Sequence, residues 1–172
     1  QIFNVIKIPV QGGSVRIFTK RNTGKYKVSK NVAKFLKLER TKRLNKTQTF
    51  LKFAKKVEHT KKLLNNLLKK IKDDNKTIVG YGAPGRSTTL LNYFKINRKI
   101  LDYIVDDNPL KIGLYTPGTH IPVFAVPQIE KTNPDYLLIL SWNFAEPIMK
   151  KLDGYKKSGG KFIIPVPNPH VV

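Results

Sequence analysis

The sequence predicts an α/β protein: a mostly parallel sheet with flanking helices, preceded by a strand pair and a long basic amphipathic helix. Three observations predict it. From residue 77 onward, short apolar runs alternate with helical patterns, as crossover units require. The first of those runs passes into its helix through Gly80-Tyr81-Gly82-Ala83-Pro84-Gly85, a strand–turn–helix junction with G-x-G-x-x-G spacing. Before residue 77, apolar residues recur at three- and four-residue steps through a lysine-rich stretch.

The elements follow in order. Ile2 to Val10 is rich in β-branched residues, Gln11-Gly12-Gly13-Ser14 is a turn, and Val15 to Thr19 alternates. Two such runs around a Gly-Gly turn predict an antiparallel hairpin. A hairpin alone is marginal in water, so residues 1–22 read as a remnant of, or link to, a missing domain. A short helix follows through Val32, Phe35 and Leu38, with Ser29 as a candidate N-cap. From Arg43 to Lys72 a long helix is expected, with Phe50, Phe53, Val57, Leu64, Leu68 and Ile71 on one face and lysines on the other. Residues 23–76 thus form a basic helical segment.

Residues 77–172 form the α/β domain. Ile78 to Tyr81 is its first strand, followed by a helix through Tyr93. Ile100 to Val105, His120 to Phe124, Tyr136 to Leu140 and Phe162 to Pro165 are the further strands, the last closing the domain. Pro127 to Lys131 is a brief helix, and Phe144 to Lys157 a longer one. Parallel strands with a glycine turn after the first make the expected fold Rossmann-like.

Composition narrows the function. There is no cysteine, which removes disulfides and thiolate metal sites and fits a reducing, cytoplasmic setting. No metal site is expected, because only three histidines are present and they are scattered. No apolar run approaches the roughly 20 residues of a membrane span. The chain begins with Gln1 and enters strand-like sequence at once, as a piece of something longer would. The net charge is +22. Residues 1–76 hold 22 Lys/Arg against 4 Asp/Glu, and residues 77–172 hold 11 against 7. We read the excess as a solvated lysine surface, a smaller part of which helps hold an anionic ligand. A nucleic-acid-binding module is the alternative that the charge supports.

In an open parallel sheet, ligands bind beyond the carboxyl ends of the strands. Gly80, Gly82, Ala83, Gly85, Arg86 and Ser87 follow or line the first strand, and Asp106 ends the second. His120 stands at the entry to the third, and Trp142 and Asn143 close the fourth. These are the candidate binding residues for a phosphorylated, hydroxylated ligand. Each has a second reading. The glycines also permit close helix–strand packing. Asp106 either meets a ribose or caps the Asn108-Pro109 turn. His120 either acts on a ligand or only hydrogen-bonds locally, and Trp142 either stacks on a ring or fills the core edge. The same spacing admits an NAD(P)-binding oxidoreductase domain. No catalytic residue is assigned, since no triad or carboxylate pair is visible.

Three stretches carry a resemblance. They are Gly80-Tyr81-Gly82-Ala83 through Tyr93, Asp106-Asp107-Asn108-Pro109 through Pro117-Gly118-Thr119-His120-Ile121-Pro122-Val123, and Pro134-Asp135 through Ser141-Trp142-Asn143. Together they resemble the C-terminal domain of S-adenosylmethionine-dependent sugar C-methyltransferases. Gln11-Gly12-Gly13-Ser14-Val15-Arg16 is similar to that family's His-Gly-Gly-Ser-Leu-Arg segment, with Gln11 in place of the usual histidine. Pro84-Gly85-Arg86 replaces a small-residue run ending in Lys-Gly. The resemblance implies a substrate-side domain for a nucleotide-diphosphate sugar. It also implies that S-adenosylmethionine, zinc and the catalytic base belong to a missing N-terminal methyltransferase domain of the same polypeptide. The fragment alone is then expected not to methylate.

Overall fold

The structure is a computed structural model that describes residues 1–172. The chain divides into two compact units, Gln1–Val57 and Glu58–Val172.

In the first unit, β1 (Ile2–Ile8) pairs antiparallel with β2 (Ser14–Thr19). β1 stops two residues before the expected Val10. Pro9 has no N–H for the ladder, and the chain enters a short irregular turn over Val10–Gly12. Gln11, Gly12 and Gly13 all take positive φ, with Gly13 at 116°, a value side-chain-bearing residues rarely adopt. α1 (Lys30–Thr41) begins as its sequence requires, with the Ser29 side chain accepting from the Asn31 N–H. It is tied to β1 by Asn31 Nδ2 donating to Asn4 Oδ1 at 3.2 Å. Phe3 stacks on Tyr26 with ring centroids 4.8 Å apart.

α2 (Thr47–Asp73) is 27 residues long, and the boundary between the units falls inside it. It starts four residues later than its apolar periodicity predicts. Arg43 sits at φ 53° and its carbonyl accepts from Lys46 N–H, so the chain closes a turn there before the helix can begin.

The second unit is built on a six-stranded sheet ordered β5-β4-β3-β6-β7-β8. The strands are β3 (Ile78–Tyr81), β4 (Ile104–Asp106), β5 (Val123–Ala125), β6 (Tyr136–Ile139), β7 (Lys161–Ile164) and β8 (His170–Val171). The first five are parallel, and β8 is antiparallel. The α/β, mostly parallel architecture is the one the alternating pattern predicts. β3 is buried along its whole length, as a central parallel strand covered on both faces should be.

Helices α3 (Gly85–Phe94), α4 (Gln128–Thr132), α5 (Ala145–Lys151) and α6 (Asp153–Lys157) flank the sheet. Val79, Tyr81, Val105, Leu137, Ile139 and Phe162 form a core with Ile129, Ile148 and Tyr155. Leu64 and Leu68 of α2 are fully buried in the same unit. Each such side chain contributes about 1.5–3 kcal/mol by leaving water.

Four expectations need correction. The second strand starts at Ile104, not Ile100, because the Ile100 and Leu101 N–H groups both turn back to the Asn97 carbonyl. The third starts at Val123, because His120 adopts φ 50° and leaves the extended region. The helix expected over Phe144–Lys157 is a 3₁₀ turn (Trp142–Phe144) followed by α5 and α6, broken at Leu152 with φ −102° and ψ 31°. Finally β7 is not the last strand. Phe162 and Val172 exchange both backbone hydrogen bonds, adding β8 at the edge.

Candidate functional site

The chain leaves β3 for β4 and β5 on one side, then returns to place β6 and β7 on the other. The strand order therefore reverses between β3 and β6, which opens a crevice at their carboxyl ends. Gly82 follows β3 there and Ser141 follows β6. Gly82 has φ 89°, and a Cβ on it would stand 2.1 Å from Ser141 Oγ. Only glycine lets these two segments approach so closely.

The other glycines do different work. Gly80 is inside β3, paired with Ile104 of β4 and Leu138 of β6. A Cβ there would meet Ile104 Cγ1 at 2.7 Å and Leu140 Cδ1 at 3.0 Å, so Gly80 is a packing glycine. A dinucleotide fingerprint needs its first glycine at the tight turn after the strand. Here that glycine lies two residues too early. Gly85 opens α3, is exposed, and has nothing within 4 Å of an added Cβ.

Asp106, at the end of β4, is buried and fully engaged. Its Oδ2 accepts from the Ala83 N–H at 2.6 Å and from Lys111 Nζ at 3.0 Å, and its Oδ1 accepts from the Asn108 N–H at 2.8 Å. Burial pushes this carboxyl up, but the Ala83 and Asn108 amides and the Lys111 ammonium more than reverse that and leave it below the usual carboxylate range. Asp106 thus pins the glycine turn to the Asn108-Pro109 turn. The Ala83 amide, which a bound pyrophosphate would otherwise use, already has an internal anion.

Ser87 is buried, and its hydroxyl donates to the Pro84 carbonyl at 2.7 Å. It serves the helix entry. Arg86, in the first turn of α3, lies over the Trp142 ring with its guanidinium carbon 5.6 Å from the centroid. Trp142 and the exposed Asn143 follow β6 in the 3₁₀ turn. A cation and an indole from two different strands' ends therefore meet at the crevice.

The structure does not bring His120 to this group. Val123 pairs with Ile104, the first residue of β4, so His120 lies beyond the amino ends of the strands. The Thr116–Ile121 loop is closed by Thr116, whose backbone and hydroxyl bond to His120 and Ile121. Asn92 Nδ2, near the end of α3, donates to the Pro117 carbonyl at 3.0 Å and holds that loop away from the α3 N-terminus.

The sequence pattern does not single out three partners that the structure supplies. Lys111 reaches Asp106 from a 3₁₀ turn (Pro109–Lys111). The Asn108-Pro109 turn signal was the one local hint of it. Tyr81 donates to Asp107 Oδ2 at 2.8 Å, and Lys151 at the end of α5 pairs with the same carboxylate. Asp107 and Lys151 are 44 residues apart, and nothing local in the sequence links them.

The fold and crevice define a Rossmann-like α/β domain with a charged, aromatic carboxyl edge. The chain belongs to the C-methyltransferase C-terminal domain family, whose model matches residues 9–167. It is 31% identical over all 172 residues to the C-methyltransferase NovU of Streptomyces niveus, of which it spans 41%. Among solved structures it is similar to the UDP-D-quinovosamine 4-dehydrogenase from Vibrio fischeri, at 20% identity and a TM-score of 0.38, over 54% of this chain and 79% of that one. No helix is long and apolar enough to cross a membrane.

Proposed function

We propose that this chain is the sugar-nucleotide-binding domain of an S-adenosylmethionine-dependent sugar C-methyltransferase. The observation that carries this reading is the pairing of Arg86 with Trp142 at the β3/β6 crevice, in a chain of this family. The exposed start of α3 at Gly85 and the Arg86 guanidinium face the diphosphate. Trp142 and Asn143 receive the base or sugar. Gly82, Ala83 and Asp106 shape the turn and do not themselves hold the phosphate. S-adenosylmethionine supplies the methyl group, from a domain outside these residues. Zinc does not fit this chain, which has no cysteine and no cluster of three or more His, Asp or Glu. The domain by itself transfers no methyl group, and it works in the cytoplasm joined to its methyltransferase domain.

Calorimetric titration with a thymidine diphosphate-hexose tests this reading, with NADH and S-adenosylmethionine as controls. Binding of the sugar nucleotide alone, lost in Arg86→Ala, supports it. Tight NADH binding, or methyl transfer by the isolated chain, sinks it.

A further inference from the structure

In the unit Gln1–Val57, sixteen Lys and Arg stand against a single acidic residue, Glu39. Charge of that kind spread over a surface needs no ligand. At the α1–α2 turn, however, it converges on one place. Arg43 N–H bonds the Arg40 carbonyl, Lys46 N–H bonds the Arg43 carbonyl, and Thr49 Oγ1 donates to that same Arg43 carbonyl at 2.7 Å. Arg43 holds φ 53°, a region that side chains other than Asn and Asp seldom occupy.

This hydrogen-bonded turn sets Arg40, Arg43, Lys46 and Lys52 around one cavity of about 470 Å³, with Asn45, Gln48 and Thr49 completing the wall. No lining residue is acidic. Five Lys–carboxylate pairs form in Glu58–Val172, and none involves these four cations. Four like charges around a shared cavity repel one another. A compact anion with several charges converts that repulsion into attraction, and the planar arginine fork matches phosphate oxygens two at a time.

We propose that the cavity between α1 and α2 is a second ligand site, which takes a phosphate group, either of a small diphosphate or of a nucleic-acid backbone. It is independent of the sheet-edge site described above.

The test uses the full chain with Arg86→Ala in place, so that the sheet edge contributes nothing. Inorganic pyrophosphate and a short duplex DNA are titrated separately by calorimetry. Three versions are compared: the background, the same with Arg40→Ala and Arg43→Ala, and the same with Lys69→Ala and Lys70→Ala. The last pair removes equal charge from exposed positions on α2 outside the cavity. We expect pyrophosphate affinity to fall about tenfold or more in the arginine variant and to hold in the lysine variant. Selective loss of DNA binding in the arginine variant, without pyrophosphate binding, assigns the phosphate to a nucleic-acid backbone. Equal weakening by both variants, or no saturable binding of either probe, overturns the proposal.

Discussion

The Ala83 N–H donates to Asp106 Oδ2 at 2.6 Å, so the carboxylate that ends β4 holds the turn that ends β3. The same side chain accepts from Asn108 and Lys111. Asp106→Ala leaves two amides and a lysine without their anion in a part-buried place. We expect a loss of about 2–4 kcal/mol in urea unfolding. A loss below about 0.5 kcal/mol, the range of an ordinary surface change, shows that the turn does not depend on this contact.

Asp135 gives the chain an acid limb. The Thr77 N–H, with Lys76 and the Thr77 hydroxyl, holds its carboxyl down at about 2. The folded value is below the unfolded one of about 3.9. Its stabilisation is therefore complete above the unfolded value and is lost as pH falls toward about 2. Asp135→Asn should flatten the acid side of a stability–pH curve. An unchanged slope would show that the carboxylate contributes nothing.

Tyr81 gives an alkaline limb. Burial, reinforced by its hydrogen bond to Asp107, pushes the phenol up to about 12. A phenol with a raised folded value stabilises the fold below its unfolded value of about 10, and that contribution fades as pH rises toward about 12. Ultraviolet difference spectroscopy should find Tyr81 ionising at lower pH in Asp107→Ala than in the wild type, because the raising effect of Asp107 is lost while the lowering effect of Lys151 stays. Tyr81→Phe should cost about 1 kcal/mol. Identical titration curves would break the link.

Two glycines of the turn predict opposite outcomes. Gly82→Ala places a Cβ 2.1 Å from Ser141 Oγ at φ 89° and should destabilise by about 1–3 kcal/mol, partly restored by Ser141→Gly. Gly85→Ala meets nothing and should stabilise α3 by about 0.5 kcal/mol. If the α3 start receives the diphosphate, Gly85→Ala also weakens sugar-nucleotide binding. A Gly85→Ala chain of full affinity would move the diphosphate away from that helix end.

Much of this protein is decided by local pattern. The buried run Ile78-Val79-Gly80-Tyr81, the Ser29 cap and the apolar stripe of α2 are legible because period and cap chemistry act over a few residues. Family membership was legible too, since it lies in contiguous motifs such as Asp106-Asp107-Asn108-Pro109. Boundaries set by competing turns were not. Arg43, His120 and Leu152 are unremarkable letters whose backbone angles follow from bonds made around them. The surroundings of the candidate site residues were decided only by the tertiary structure. It buried Gly80 inside a strand, committed Asp106 to Ala83, carried His120 to the opposite end of the sheet and set Arg86 over Trp142. The reason is range. A helix or strand is favoured by neighbours a few residues away, whereas a hydrogen bond between residues 83 and 106, or a cation over a ring 56 residues along the chain, exists only once the parallel strands have fixed which ends meet.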